Sequence, residues 1–249
     1  MRQLDENIWV HDDVVNRTLR LRMTIVRLAG GGLWVHSPTR LSVPVKDEVD
    51  RLGPVAAIVA SNNAHNLFFT EWSEAYPAAG RYVSRGIPEK LPDLSKYQFI
   101  NEVAEPLWSD DLDFAVMTGV PLFDECVFLH RASRSLIVTD LVQNYQGQAA
   151  NGLAERIMRN LVLKPLGWRD ICLAPPLRFE FVVEDRSALN NFLSRLQEWP
   201  FGRIVVTHGD VIEDQASEIF ADLCARLPDQ IGSPVHEFAM KQFIRFATR

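Results

Sequence analysis

The sequence is poor in the residues that mark several common classes of protein. It has three cysteines, Cys126, Cys172 and Cys224, which are far apart and form no CxxC pair. A disulfide framework or a zinc knuckle needs paired or closely spaced cysteines, so neither is expected. No run reaches the ~18 apolar residues of a membrane-spanning helix, and the first residues lack the apolar core of a signal peptide. We therefore expect no membrane association and a cytoplasmic location.

Positive charge is also scarce. Lysine and arginine number 26 against 32 aspartates and glutamates, which gives a formal net charge of −6. A protein that binds nucleic acid needs a basic face for the phosphates, so no nucleic-acid partner is expected. The hydrophobic share of 47% and the charged share of 23% are typical of a globular domain with a sizeable core.

No linker, low-complexity stretch or internal repeat divides the 249 residues. This predicts one domain over residues 1–228, followed by a C-terminal tail over 229–249. Hydrophobic patterning predicts a mixed α/β protein. The expected strands cover 7–11, 23–28, 33–36, 55–60, 112–118, 126–130, 135–139 and 203–207, and the expected helices cover 42–53, 67–76, 150–163, 185–199 and 214–227. Only short strands and loops are expected between 78 and 113.

Three glycines, Gly30 to Gly32, join two of the apolar runs. Two strands with a glycine turn between them predict a β-hairpin. A dinucleotide-binding loop would need a helix directly after the glycines. The run is therefore interpreted as a turn and not as a phosphate-binding loop.

Three residues able to bind a metal or move a proton each follow a predicted strand. They are His65 after strand 55–60, Asp140 after strand 135–139 and His208 after strand 203–207. Strand ends in layered α/β folds gather at one edge, so the three side chains can converge. Two imidazoles and a carboxylate suit a divalent metal such as zinc, iron or manganese. The alternative is that each has a structural role, as a hydrogen-bonding histidine or a turn-forming aspartate.

The order of these motifs over residues 4–227 resembles the metallo-β-lactamase superfamily. The hairpin with its His36-Ser37-Pro38 step, the loop Ser61–Asn66, the Thr139-Asp140-Leu141 segment and the Thr207–Asp210 segment stand where that superfamily has its conserved steps. The resemblance implies an αββα sandwich. It is strongest to an uncharacterised branch, a domain of unknown function with similar Gly-Gly-Leu-Trp, His-Ser-Pro and Asn-x-x-His patterns.

The departures from the superfamily concern its two-metal site. Ser61 and Asn63 stand at the two early histidines of its His-x-His-x-Asp-His loop, and no histidine lies near Pro121–Phe123, where a third ligand is expected. The resemblance therefore implies that the first metal position is lost. The ligands of the second position correspond to His65, Asn66, Asp140 and His208, of which Asn66 offers only a weak amide oxygen. This leaves either an altered site for one metal or an empty pocket, and His65 replaces the carboxylate that would orient an attacking water.

Three further residues are candidates for the pocket. His36 follows a strand, Glu125 begins one, and Arg178 follows a Pro-Pro-Leu segment where it could bind an anion. Each has a structural alternative: a hydrogen-bonded histidine, a solvated strand end and an ordinary surface arginine.

Two functions from different classes remain open at this point. The first is a hydrolase with at most one metal, acting on an ester, a phosphodiester or a related small molecule. The second is a non-catalytic protein on the same scaffold that binds a small molecule or a partner, which the lost metal position favours. The metal content of the purified protein separates the two.

The tail predicts a helix after the Gly232-Ser233-Pro234 break. Helical spacing places Ala239, Phe243, Phe246 and Ala247 on one face. We expect this face to dock either on the chain's own surface or on a second subunit, and the latter predicts a homodimer.

Overall fold

The computed structural model describes residues 1–15, 19–101, 107–146, 156–157, 159–227 and 234–247. The strands are β1 (Arg2–Asp5), β2 (Ile8–Val15), β3 (Leu19–Arg27), β4 (Leu33–His36), β5 (Val55–Ala60), β6 (Gly80–Val83), β7 (Gln98–Phe99), β8 (Leu112–Val116), β9 (Cys126–His130), β10 (Ser135–Ile137), β11 (Val142–Asn144), β12 (Ile171–Leu173) and β13 (Arg203–Val205). The helices are α1 (Val43–Leu52), α2 (Phe69–Ala75), α3 (Ile87–Lys90), α4 (Lys164–Leu166), α5 (Arg186–Gln197), α6 (Ala216–Arg226) and α7 (Pro234–Ala247), with a π-helical turn at Arg159–Leu163 and a 3-10 turn at Pro175–Arg178.

The first sheet contains β1 to β7 in sequence order. Its first four strands pair antiparallel, and β4 to β7 pair parallel. The predicted glycine hairpin is present as β3 and β4, where Gly31 adopts a positive φ of 83°. Such a backbone favours glycine, because a side chain is strained there.

The second sheet has the order β13-β10-β9-β8, and β11 and β12 form a separate two-stranded ribbon. Strands β10 and β13 are parallel, so the segments that follow them leave the sheet at the same end. Asp140 and His208 lie on these two segments. This pairing brings together residues that are far apart in the chain.

The two sheets face each other across an apolar layer. Successive side chains of a strand point to opposite faces. In the first sheet Trp34 and Val59 therefore point toward the second sheet, where they meet Phe128, Ile137 and Val205.

Helices cover the outer face of each sheet. On the first, α1 buries Val45 and Val49 against residues such as Ile58. On the second, α5 and α6 bury Leu189 and Phe220 among others. The layers are therefore helix, sheet, sheet, helix, which is the predicted αββα sandwich.

The predicted elements differ from the observed ones in a few places. Helix α3 lies in the segment expected to hold only strands and loops, and a proline in its first turn is compatible with a helix start. Residues 150–155 and 158 of the helix expected over 150–163 lie outside the described residues, and Arg159–Leu163 forms a π-helical turn. The predicted domain boundary near residue 228 also lies outside them.

The tail forms helix α7, which packs against α4 and the apolar cluster of the second sheet. Met240 is fully buried, and Ala239, Phe243 and Ile244 pack against the same apolar cluster. Phe238, by contrast, is 66% exposed. Of the predicted face, Ala239 and Phe243 thus dock on the chain's own surface. The side chains of its other two members, Phe246 and Ala247, are outside the part of the chain that the structure describes. Among the described residues, no helix combines the length and apolarity needed to cross a membrane.

Candidate metal centre

His65, Asp140 and His208 converge at one edge of the sandwich. The loop after β5, which carries His65, is joined to the second sheet by backbone hydrogen bonds from Cys126 N to Ser61 O (2.7 Å) and from Asn63 N to Phe123 O (3.0 Å). These bonds bring the loop beside the segments that follow β10 and β13. The imidazole rings of His65 and His208 lie 5.1 Å apart between centroids.

The ligand atoms of the three residues are spaced for one cation. Nε2 of His65 lies 3.2 Å from Oδ2 of Asp140, and Nε2 of His208 lies 3.4 Å from Oδ1. A set of one ligand atom from each residue lies within 4.8 Å of one another. Tetrahedral ligands with bonds of about 2.1 Å are separated by about 3.4 Å, so the arrangement suits a small divalent ion with modest adjustment.

His208 is held in the tautomer that a metal ligand needs. Its Nδ1 donates a hydrogen bond to the carbonyl of Arg20 (2.8 Å), which can only accept. In the neutral imidazole the lone pair is then on Nε2, which faces Asp140. A ring N–H bonded to a backbone carbonyl is the usual outer support of a metal-binding histidine.

Arg22 fixes the segment that carries His208. This buried side chain donates from Nη1 to the carbonyls of Val206 (3.0 Å) and Gly209 (2.6 Å), and from Nε to Asp12 (2.7 Å). The two carbonyls lie on either side of His208. Strand β3 therefore holds both the imidazole ring and the backbone around it.

His65 is supported by the segment after β4. Its Nδ1 lies 3.2 Å from Oγ of Ser37, a residue in the left-handed backbone region with φ of 51°. The side chain of His65 is 5% exposed and that of His208 is 13% exposed. Both imidazoles are thus largely buried, and that of His208 is the more exposed of the two.

Asp140 is the charged centre of the cluster. Burial alone would raise the pKa of Asp140, but the facing imidazoles of His65 and His208 hold it well below its usual range. Burial alone would likewise lower the pKa of His208, and its hydrogen bond to Asp140 raises it instead. Asp140 is therefore an ionised carboxylate whose negative charge the imidazole protons balance, and a bound cation would take the place of those protons.

Two side-chain amides orient the Asp140 carboxylate. Asn62 donates from Nδ2 to Oδ2 (3.1 Å), and Gln143 donates from Nε2 to Oδ1 (3.1 Å). Each carboxylate oxygen thus accepts one amide N–H and faces one imidazole Nε2. The amides leave the imidazole side of both oxygens available to a cation.

Glu125 lies beneath the cluster and does not line its opening. It is fully buried and accepts backbone N–H bonds from Thr139 (2.7 Å), Asp140 (3.0 Å) and Leu141 (2.9 Å), and a fourth bond from the Asn62 amide (3.0 Å). Burial, with the nearby charge of Asp140, raises the pKa of Glu125 to about 7, whereas the hydrogen bonds favour its ionised form. Because both oxygens face N–H donors, we assign Glu125 the role of an ionised anchor for the Asp140 segment.

The residues at the lost metal position are engaged in structural hydrogen bonds. Ser61 Oγ lies 2.6 Å from Nε2 of His36, and both side chains are buried. The side chain of Asn63 binds Ser84 Oγ, Gly86 N and the carbonyl of Pro121. The two replacements therefore hold neighbouring loops.

The remaining predicted site residues lie outside the cluster. His36 is 1% exposed and stacks on Trp34 at 5.2 Å, so it does not line an open pocket. Asn66 donates its amide to the carbonyl of Asn63 within the loop, and the amide that reaches Asp140 is that of Asn62. Arg178 lines a separate cavity of about 590 Å³ and donates to the carbonyls of Pro175 and Leu166.

Sequence reasoning missed Arg22, Ser37, Asn62 and Gln143. Asn62 and Gln143 resemble ordinary turn and strand residues, and nothing local distinguishes them. Arg22 carried a weak signal, since it is a charged residue between Leu21 and Met23 in an apolar strand.

The chain is similar to known proteins in two ways, by family and by fold. The model of a family described as a domain of unknown function, DUF4336, matches residues 5–156. No functionally curated protein matches the sequence.

Solved structures of metallo-β-lactamases share the fold at low identity. One from Pontibacter korlensis has 13% identity and a TM-score of 0.57, covering 90% of this chain and 97% of that chain. One from Hirschia baltica has 10% identity and a TM-score of 0.58, covering 90% of this chain and 95% of that chain. The DIM-1 metallo-β-lactamase has 12% identity and a TM-score of 0.59, with the same coverage of the two chains. The predicted metallo-β-lactamase fold is therefore confirmed, and identities this low carry no information on activity.

Proposed function

The chain belongs to the DUF4336 family, whose model matches more than half of it, and we propose that it is a hydrolase with a single-metal centre. His65, Asp140 and His208 hold one divalent ion, zinc, iron or manganese. The substrate is an ester, a phosphodiester or a related small molecule. The observation that carries the proposal is the convergence of two imidazole Nε2 atoms on one buried carboxylate.

The chemistry of the centre follows from its ligands. A bound divalent ion would polarise the substrate and lower the pKa of a water molecule. The chain's own residues fix the ligands in advance: the Arg20 carbonyl sets the tautomer of His208, and Asn62 and Gln143 orient Asp140. Such preorganisation reduces the rearrangement needed on binding.

The experiment is metal analysis of the full chain after supply of Zn²⁺, Fe²⁺ and Mn²⁺. We expect one ion per chain, its loss in His208→Ala and its retention in His130→Ala. His130 is a matched control, because it also lies at a strand end but is bonded to Ser133 Oγ at 2.7 Å. Two ions per chain would contradict the assignment of Ser61 and Asn63 to structural bonds.

Catalysis is tested on the same preparations. We expect the metal-loaded protein to hydrolyse members of a panel of esters and phosphodiesters, and we expect chelation or His208→Ala to abolish this activity. A loaded protein that is inactive on the whole panel would remove the support for hydrolysis and leave a metal-binding protein.

The second candidate is a non-catalytic protein that binds a small molecule or a partner on the same scaffold. The hydrogen bonds of Ser61 and Asn63 favour it, because they put structural contacts where the superfamily has metal ligands. Absence of metal under all three supply conditions would favour this candidate over the hydrolase.

A further inference from the structure

Gln143 has a side chain whose orientation is determined by its neighbours. Its Oε1 lies 2.8 Å from Nε1 of Trp168 and 2.9 Å from the hydroxyl of Tyr145. An indole N–H can only donate, so the atom that faces Trp168 is the amide oxygen. The amide nitrogen is then directed at Oδ1 of Asp140, 3.1 Å away.

Trp168 is in turn held by the C-terminal helix. Its ring packs against Phe243 of α7, with 4.7 Å between centroids. Phe243 belongs to the face of α7 that packs on the core beside the buried Met240. A continuous set of contacts thus runs from α7 through Trp168 and Gln143 to Asp140.

We propose that Gln143 is a positioning residue for Asp140, that Trp168 sets its orientation, and that the docked helix α7 keeps Trp168 in place. This inference rests on the proposed metal centre, since its effect is on how Asp140 holds the ion. If the amide turned over, its oxygen would face the carboxylate and repel it. Loss of such an outer contact typically weakens metal binding by about 10- to 100-fold.

The test compares three variants of the full chain with Co²⁺ as the probe. Gln143→Leu removes the amide, and Trp168→Phe keeps a ring against Phe243 but removes the N–H. Trp199→Phe is the matched control, because Trp199 packs on the same apolar cluster and is not among the described hydrogen-bond partners of the Gln143 side chain. The measurements are the Co²⁺ dissociation constant and the visible absorption spectrum of bound Co²⁺, which reports ligand geometry.

We expect Gln143→Leu to weaken Co²⁺ binding by ~10- to 100-fold and Trp168→Phe by about 10-fold, each with a changed spectrum. Trp199→Phe should match the wild type in both measurements. The double variant of Gln143 and Trp168 should bind no more weakly than Gln143→Leu alone, because Trp168 acts through Gln143. Additive losses would overturn the inference, since they would mean that Trp168 acts by packing.

Failure of the inference is distinguishable from failure of the metal centre. If the wild type binds Co²⁺ and Trp168→Phe binds it equally well with the same spectrum, only the inference is overturned. If the wild type binds no Co²⁺, both are overturned. Should Trp168→Phe fail to fold, the indole N–H resonances of the wild type decide. That of Trp168 should shift on addition of diamagnetic Zn²⁺ and that of Trp199 should not, and an unmoved Trp168 resonance overturns the inference.

Discussion

At the scale of single residues, His36 combines full burial with an imidazole that stays neutral. Burial lowers the pKa of His36 to about 3, and the proximity of His65 acts in the same direction. Its Nδ1 is buried without a hydrogen-bond partner among the described residues, and the ring stacks on Trp34. His36 is therefore placed to titrate during unfolding and not in the folded protein.

This burial predicts a pH dependence of stability. The unfolded chain protonates His36 below about pH 6.5, whereas the folded chain does so only near pH 3. The contribution of neutral, buried His36 to the free energy of unfolding is thus complete above pH 6.5. It is lost as the pH falls toward 3, at about 1.4 kcal/mol per pH unit. The free energy of unfolding, measured with urea at several pH values between 6 and 4, should change less with pH in His36→Gln than in the wild type, by about this amount per pH unit. Equal slopes would contradict the prediction.

The residues of the centre differ in whether the neighbouring sequence indicates their role. His65, Asp140 and His208 could be predicted because each is a ligand type that directly follows a predicted strand. Asn62 and Gln143 could not, because their role depends on contacts with Glu125, Trp168 and Asp140 that only the folded chain creates.

Loops and strand ends are the elements that build this centre, and the segment after β13 is the most constrained of them. Gly209 has φ of 107°, and a Cβ added there would lie 1.6 Å from the carbonyl oxygen of Asn144. Asn144 also donates a hydrogen bond from its N to His208 O (3.0 Å), and Arg22 donates to the carbonyl of Gly209. Its backbone has no space in which to move aside.

We therefore expect Gly209→Ala to destabilise the fold and to displace His208. The left-handed backbone alone costs about 1–2 kcal/mol for a residue with a Cβ, and the overlap with Asn144 adds to this. Gly202→Ala is the control, because no atom lies within 4 Å of an added Cβ there. The free energy of unfolding, measured with urea, and the metal content should both fall in Gly209→Ala and remain unchanged in Gly202→Ala. A fully stable Gly209→Ala protein would disprove the constraint.

Elements differed in how well the sequence predicted them. The buried strand β5 and helix α5 have strong local patterns, and Asp185 caps α5 by accepting from Ala188 N. Arg178 shows what local patterns cannot predict, because its position after a proline pair gives no indication of which face of the molecule it will reach. Its cavity lies beside α6 and α7, away from the cluster.

At the scale of the whole molecule, helix α7 raises the question of self-association. Its inner face packs on the core, while Val235 and Phe238 are 77% and 66% exposed. The homodimer predicted from the face that carries Ala239 and Phe243 stays a proposal. The intrachain contacts of Met240 and Phe243 account for the docking of the helix without a second subunit.

Deletion of residues 234–249 separates the two arrangements. We expect a lower melting temperature and an unchanged oligomeric state, because the deletion uncovers the apolar surface on which Met240 is buried. Light scattering and thermal unfolding of both chains provide the two measurements. A halving of mass would instead support the homodimer, and an unchanged melting temperature would mean that α7 contributes nothing to stability.

The attachment of His208 to β3 has a consequence for the order of folding. The bonds from His208 to Arg20 and from Arg22 to Gly209 close loops of 188 and 187 residues. Closing loops of this length is entropically costly, so we expect these contacts to form after the rate-limiting barrier and before any metal is held. Zinc in the refolding buffer should leave the stopped-flow refolding rate unchanged and slow unfolding, whereas faster refolding would show that the centre forms early. During synthesis, a chain still on the ribosome would then acquire its ion only after His208 had left the exit tunnel.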